Sequence, residues 1–150
     1  MTENARANAG REAGIRVSTD SAELDLDWVH DALSNRAYWA LGRSPAVVEA
    51  SIAGSVCVGA YRGGAQVGFA RVITDGVTFA WLCDVFVDES ERGNGIGTRL
   101  VEAILADPRV GNVRRVALST TDAAGVYTRF GFRPLDHPER WMERRAADRS

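Results

Sequence analysis

Three features of the 150-residue sequence predict a mixed α/β fold, with a mostly antiparallel central sheet flanked by helices. Three segments of period two, residues 55–61, 66–73 and 78–87, follow one another across short glycine turns, as in a meander. Two stretches of helical period precede them and one follows directly. The remainder alternates short apolar strands with a further helix. The predicted order is β-α-α-β-β-β-α-β-α-β.

Each element has its own local signal. Residues 1–13 are polar, rich in Ala, Asn and Arg, and are expected to form a disordered lead-in. Residues 14–150 are expected to form a single domain, long enough for a real core. Residues 14–18 give a short strand with Ile15 and Val17 on one face. Ser21 is a candidate cap for a helix over about 22–33, where Leu26, Val29 and Leu33 are spaced for a buried face. Tyr38 and Trp39 lie in a turn-like stretch. Pro45 opens a second helix over 46–52, and Gly54 stops it. In the first meander strand Val56, Val58 and Ala60 alternate with Ser55, Cys57 and Gly59. Gly63-Gly64 and Asp75-Gly76 supply the hairpin turns. A helix over 95–106 sets Ile96, Leu100, Val101, Ile104 and Leu105 on one face, and Asp107-Pro108 ends it. Residues 115–119 make a short buried strand. Asp122 is a candidate cap for a helix through Phe130, closed by Gly131. Strands are expected at 132–135 and, on an edge, at 141–144.

Composition narrows the function. A formal net charge of −2 argues against a general nucleic-acid binder. No stretch is long and apolar enough to span a membrane, and the N-terminus lacks the apolar core of a signal sequence, so the expected location is the cytoplasm. All eighteen basic residues are arginine. No lysine is present to act as base, Schiff-base nucleophile or site of self-acetylation. Cys57 and Cys83 sit in apolar strands and are expected to be reduced, buried thiols. His30 and His137 show no metal-ligand spacing, and no metal is expected.

The most informative stretch is 82–100. An apolar strand containing Asp84, Val85, Phe86 and Val87 runs into a glycine-rich loop, Arg92-Gly93-Asn94-Gly95-Ile96-Gly97-Thr98, which opens directly into the amphipathic helix. Strand, bare backbone and helix N-terminus together suit a phosphate. The loop lacks the Gly-Lys-Ser/Thr end of a Walker motif. A dinucleotide fingerprint fits poorly, because antiparallel strands precede the loop. A second motif, Tyr127-Thr-Arg-Phe-Gly131-Phe132, closes the last helix.

Arg92, Gly95 and Gly97 match the Arg/Gln-x-x-Gly-x-Gly/Ala pattern, and Tyr127, Gly131 and Phe132 match Tyr-x-x-x-Gly-Phe. In both, the chain resembles the GNAT superfamily of N-acetyltransferases over about residues 14–144. Tyr38-Trp39-Ala40, the run 69–75, Asp84 to Val87 and the run 138–142 resemble a subgroup generally without an assigned substrate. The resemblance implies acetyl-CoA as co-substrate. It implies that the main chain of Arg92, Gly93, Asn94, Gly95, Ile96, Gly97 and Thr98 holds the pyrophosphate, and that Val85, Phe86 and Val87 offer backbone hydrogen bonds to the pantetheine arm. The coenzyme would lie where the strand ending at Val87 splays from the strand at 115–119. Many members carry an asparagine seven residues before the tyrosine. Thr120 stands there in this chain, and Thr120, Thr121 or Asp122 is left to cap the helix.

The chemistry assigns provisional roles. Transfer from a thioester expels a thiolate, and a phenol, protonated at neutral pH, can give it a proton; the resemblance makes Tyr127 the candidate, the alternative being a core tyrosine that closes the last helix on the sheet. An incoming amine must lose a proton. Asp84, in an apolar strand, is either the base or ammonium binder or a structural hydrogen-bond anchor, with water as the substitute base. Asp75 is a second candidate, although a hairpin tip explains it. Cys83 beside a carboxylate is a poor nucleophile. Tyr38, Trp39, Phe79, Trp81 and Trp141 are core residues or walls of an acceptor pocket. Arg99, Arg129 and Arg133 are candidates to meet coenzyme phosphates or are ordinary surface residues. The expected activity is acetyl transfer to a primary amine of a small molecule. The alternative is a non-catalytic CoA or acyl-CoA sensor on the same fold. Oligomeric state, a homodimer included, stays open.

Overall fold

A computed structural model describes residues 14–146. The expected lead-in over 1–13 lies outside the described residues. The chain divides into two units, Met1–Ser119 and Thr120–Ser150.

In the first unit the strands are β1 (Ile15–Ser18), β2 (Val56–Arg62), β3 (Ala65–Thr74), β4 (Ala80–Val87) and β5 (Val116–Ala117). They form one sheet in the order β1-β2-β3-β4-β5, antiparallel from β1 to β4 and parallel between β4 and β5. The helices are α1 (Leu26–Asp31), α2 (Pro45–Ala53), α3 (Ile96–Ala106) and the single turn α4 (Pro108–Gly111). Because β4 and β5 are parallel, the chain must cross over between them, and α3 is that crossover.

The expected helix at 22–33 is broken by its own carboxylates. Asp20 caps a 3-10 turn at Ser21–Glu23, and Asp25 then caps α1, its carboxylate accepting from the Trp28 amide at 3.1 Å. Ser21 is therefore not the cap. A π-helical stretch, Ala32–Arg36, continues α1 into the loop that carries Tyr38 and Trp39. Pro45 lies in the first turn of α2 and Gly54 at its end, as the sequence predicts, and the Ser44 hydroxyl, which the sequence reading did not single out, caps the helix.

Both faces of the central strands are covered, so the period-two pattern in β2 separates two buried faces rather than core from solvent. On one face Cys57, Phe69 and Phe86 pack with Val29, Leu33, Val48 and Ile52. On the other lie Ile96, Leu100, Val101 and Ile104 of α3, all buried. Burying each such side chain is worth about 1.5–3 kcal/mol.

Gly59 is demanded by close approach. The Tyr61 ring, two residues on and on the same face, folds over it, and a Cβ there would lie 2.7 Å from the ring carbon Cζ. Tyr61 is 4 % exposed, and its hydroxyl has no hydrogen-bond partner among the described residues.

In the second unit α5 (Ala124–Thr128) is shorter than expected. Asp122 is not its cap. The N-cap is Ala123 and no side chain caps the helix; the Thr120 hydroxyl accepts from the Ala123 amide at 3.1 Å in the turn before it. The helix closes in a Schellman motif: Gly131 has φ 86°, its amide donates to the Thr128 carbonyl at 3.1 Å, and the Phe132 amide donates to the Tyr127 carbonyl at 3.3 Å. The strands expected at 132–135 and 141–144 are not formed. Phe132 is committed to the helix end, Pro134 and Pro138 supply no amide donor, and a 3-10 turn occupies Pro138–Arg140. The described sheet thus has five strands rather than six or seven.

Tyr61→Phe should stabilise the protein or leave it unchanged, by up to about 1 kcal/mol, because it removes a buried hydroxyl without a partner. Gly59→Ala should destabilise it by about 1–3 kcal/mol through overpacking. Urea unfolding of the two variants checks both signs.

Candidate active site

The site region of the first unit begins where the β3–β4 ladder is interrupted. Phe69 pairs with Phe86 and Arg71 with Cys83, so two steps along β3 face three along β4. The extra residue makes a β-bulge, and Asp84 within it takes φ 54°, the only non-glycine residue with positive φ among the described residues. Aspartate tolerates this region better than most side chains, yet the conformation is still strained. On the other side of β4 the pairing with β5 is registered only at Ala80↔Val116 and Trp81↔Ala117. From Leu82 to Val87 that edge of β4 has no described strand partner. A bulged strand with an open edge therefore leads into the glycine loop.

The loop poses an electrostatic problem, since Asp88, Glu89 and Glu91 precede it. The arrangement solves this with arginine. Arg36 donates to Asp88 at 3.2 Å and to Glu89 at 2.9 Å. Arg62 of β2 grips Glu91 through both oxygens, each at 2.8 Å. Arg92 donates from Nε to the Val87 carbonyl at 3.1 Å and lies 5.4 Å from the Phe86 ring centre. The Ser90 hydroxyl, ahead of Arg36, holds the Asp88 carboxyl below its ordinary range, and Arg62 does the same for Glu91. The three carboxylates are thus engaged before any anion arrives.

Gly95 is the N-cap of α3. It has φ 74° and offers no side chain to the helix amides. Gly93 has φ 86°. Both positions require glycine for their conformation, and the first-turn amides of a helix capped in this way are left to a ligand. The geometry and the paired carboxylates fit a pyrophosphate.

Behind the bulge lies a cluster that the sequence did not reveal. Asp84 Oδ2 accepts from Arg71 Nε at 2.6 Å and from Arg43 at 2.7 Å, and its Oδ1 accepts from the Trp39 indole at 2.8 Å. Arg71 also donates to the Ser55 hydroxyl at 3.0 Å. The Asp84 side chain is 1 % exposed, Arg71 10 % and Arg43 27 %. Burial would raise the Asp84 carboxyl, but the two guanidiniums outweigh it and hold the group below the ordinary carboxylate value. A carboxylate with both oxygens engaged and a lowered proton affinity is a poor base. Between the two alternatives that the sequence leaves for Asp84, the surroundings favour the anchor. One cue was present in the sequence: Arg71 is the sole charged residue of β3 and a near cross-strand neighbour of Asp84. For Arg43, in a glycine-proline loop 41 positions earlier, no local cue exists.

The other candidates resolve simply. Asp75 caps its own hairpin, accepting from the amides of Val77 and Thr78 and from the Thr78 hydroxyl, which holds its carboxyl far below the usual range. Burial pushes the thiols of Cys57 and Cys83 up to about 12 and about 11, so neither is a nucleophile. His30 bonds the Arg43 carbonyl and His137 bonds Glu139. Arg99 donates to the Ile15 carbonyl at 3.1 Å and thereby ties α3 to β1. Trp39 is 42 % exposed and meets Tyr38 edge to face at 5.0 Å between ring centres. No group of three or more His, Cys, Asp or Glu among the described residues is arranged to hold a metal. No described helix is long and apolar enough to cross a membrane.

In the second unit Tyr127 is the third residue from the end of the helical cap and packs edge to face on Phe132, 5.9 Å between ring centres. Burial pushes its phenol above the ordinary value, so it carries its proton throughout the neutral range. The Tyr-x-x-x-Gly-Phe motif is, in physical terms, a Schellman helix end with its apolar contact, and the phenol is mounted on it.

Residues 53–134 match the acetyltransferase (GNAT) domain, over more than half of the chain. A protein of Gibberella zeae whose name assigns it to the acetyltransferases is 36 % identical, with 74 % of each chain covered. A crystal structure from Xanthomonas campestris pv. campestris, described as belonging to the GNAT family, superposes with a TM-score of 0.84 at 43 % identity, covering 88 % of this chain and 93 % of that one. A complex of AAC(6')-Iy with a CoA-linked bisubstrate analogue shares the fold, with a TM-score of 0.65 at 18 % identity and coverage of 88 % and 97 %.

Replacing Asp84 by Asn should destabilise the protein by about 3–5 kcal/mol, because two guanidiniums lose their counter-charge. The folded-state pKa of Asp84 is lowered, so its contribution is present above the unfolded carboxylate value near 3.9 and is lost as pH falls through the folded value. Wild type should therefore lose stability below about pH 4 more steeply than Asp84→Asn, as followed by denaturant midpoints across pH.

Proposed function

We propose that this chain, which belongs to the GNAT family of acetyltransferases, moves the acetyl group of acetyl-CoA directly onto a primary amine of a small molecule. Membership carries the enzyme class, N-acetyl transfer; the acceptor and the residue roles are inferred. The observation that carries the coenzyme reading is the succession of a bulged strand with an open edge, an uncapped helix N-terminus and a loop whose carboxylates are already paired. The CoA-linked ligand of AAC(6')-Iy, on the same fold, is consistent with it.

In this reading the amides of Arg92, Gly93, Asn94, Gly95, Ile96, Gly97 and Thr98 hold the pyrophosphate, aided by the positive end of the α3 dipole. The backbone of Val85, Phe86 and Val87 holds the pantetheine arm along the open edge of β4, and a strand amide polarises the thioester carbonyl. The neutral amine attacks the carbonyl carbon, the C–S bond breaks, and the amine's spare proton passes to water. Tyr127 protonates the departing thiolate, a role that its protonated phenol suits. Asp84 does not take the proton; it fixes Trp39 and Arg43 against the bulge. The reading requires residues 14–150 to work as one domain.

Acetyl-CoA at 100 times its dissociation constant should stabilise the protein by about 2.7 kcal/mol in a thermal shift measurement. Gly95→Val, which cannot adopt φ 74° without strain, should lose most of that shift. Tyr127→Phe should keep the shift while kcat, followed by release of free thiol with an amine panel, falls about 10²- to 10⁴-fold. Coenzyme binding without turnover on any amine would favour the sensor alternative, and no shift at all would overturn the coenzyme reading.

A further inference from the structure

We infer that the acceptor is an amine that also carries a carboxylate, and that Arg43, beside Trp39, is the residue that receives it. The inference rests on the transfer reading above and deepens it. Three observations carry it. The cluster at the bulge holds two guanidiniums and one carboxylate, a formal excess of one positive charge. Among the described residues neither Arg43 nor Arg71 has a second acidic partner. The excess sits where β4 opens, one residue before the stretch assigned to the pantetheine arm.

The two arginines are not equivalent. Arg71 is nearly enclosed and gives Nε to Asp84 and one terminal nitrogen to Ser55, so it belongs to the frame. Arg43 gives one nitrogen to Asp84 and remains partly exposed. A guanidinium has five N–H donors in a planar fork that matches a carboxylate in two-point fashion. Its orientation is already fixed by Asp84, and its backbone carbonyl is held by His30 and Ser34 of the preceding helical segment. Little side-chain freedom is left to lose when an anion binds. The exposed rings of Trp39 and Tyr38 add an apolar wall. An acceptor with only an ammonium would meet a net positive charge. An acceptor with a carboxylate cancels it and is oriented by the same contact.

The test uses the full-length protein, acetyl-CoA and matched acceptors: amino acids, their α-amides and the corresponding amines without the carboxylate. The free-thiol assay should show kcat/KM about tenfold to a hundredfold higher for the carboxylate member of each set, mainly through KM. Arg43→Met should abolish the preference while keeping the coenzyme-induced thermal shift of wild type, and Arg43→Lys should restore part of it. Equal turnover within the sets, preference for the amides or plain amines, or a preference that survives in Arg43→Met would overturn the inference. If acetyl-CoA binds but no acceptor turns over, the transfer reading fails by itself. The same sets are then scored by melting shifts of the CoA complex. A shift that depends on the carboxylate and on Arg43 supports the inference, and equal shifts or none overturn it.

Discussion

The ion cluster on Asp84 is the constraint on which the region depends. A carboxylate in the middle of an apolar sheet is tolerable only when its charge is met, and here two guanidiniums and an indole N–H meet it. The same residue sits in the left-handed conformation that makes the bulge. One position therefore sets two things at once: the local interruption of the β3–β4 ladder and the docking of the 37–44 loop against β4. The strain at that position is offset by the contacts it permits.

The loop before α3 follows a related logic with a different outcome. Its three carboxylates, each answered by an arginine from another element or from the loop itself, tie β2, the π-helical stretch after α1 and the glycine segment together. The pairing is a structural brace and an electrostatic preparation in one. No side chain caps the helix amides, and the nearby negative charge is already spoken for.

Much of this was legible in sequence, for identifiable reasons. The meander, α2 with its Pro45 start, and α3 with its glycine entry rest on local signals that tertiary context did not override. The two glycine motifs made the family resemblance clear. What failed were signals with local competitors. Asp20 and Asp25 each cap a turn and split the first helix. Asp122 caps nothing, because α5 starts one residue later, at an N-cap without a side-chain bond, after a turn closed by the Thr120 hydroxyl. No ladder formed at 132–135, where Pro134 interrupts the run, or at 141–144, which follows the 3-10 turn at Pro138–Arg140. The role of Asp84 was undecidable from sequence because its partners lie 13, 41 and 45 residues away, and only folding brings them together.

The Schellman closure of α5 has an implication for how lesions in this region are to be interpreted. The carbonyl that the Phe132 amide engages belongs to Tyr127, and the ring that covers Phe132 is the same phenol. A change at Gly131 or Phe132 would therefore release the tyrosine from its mooring without altering the tyrosine itself. Loss of activity at those two positions would be a folding defect expressed as a chemical one.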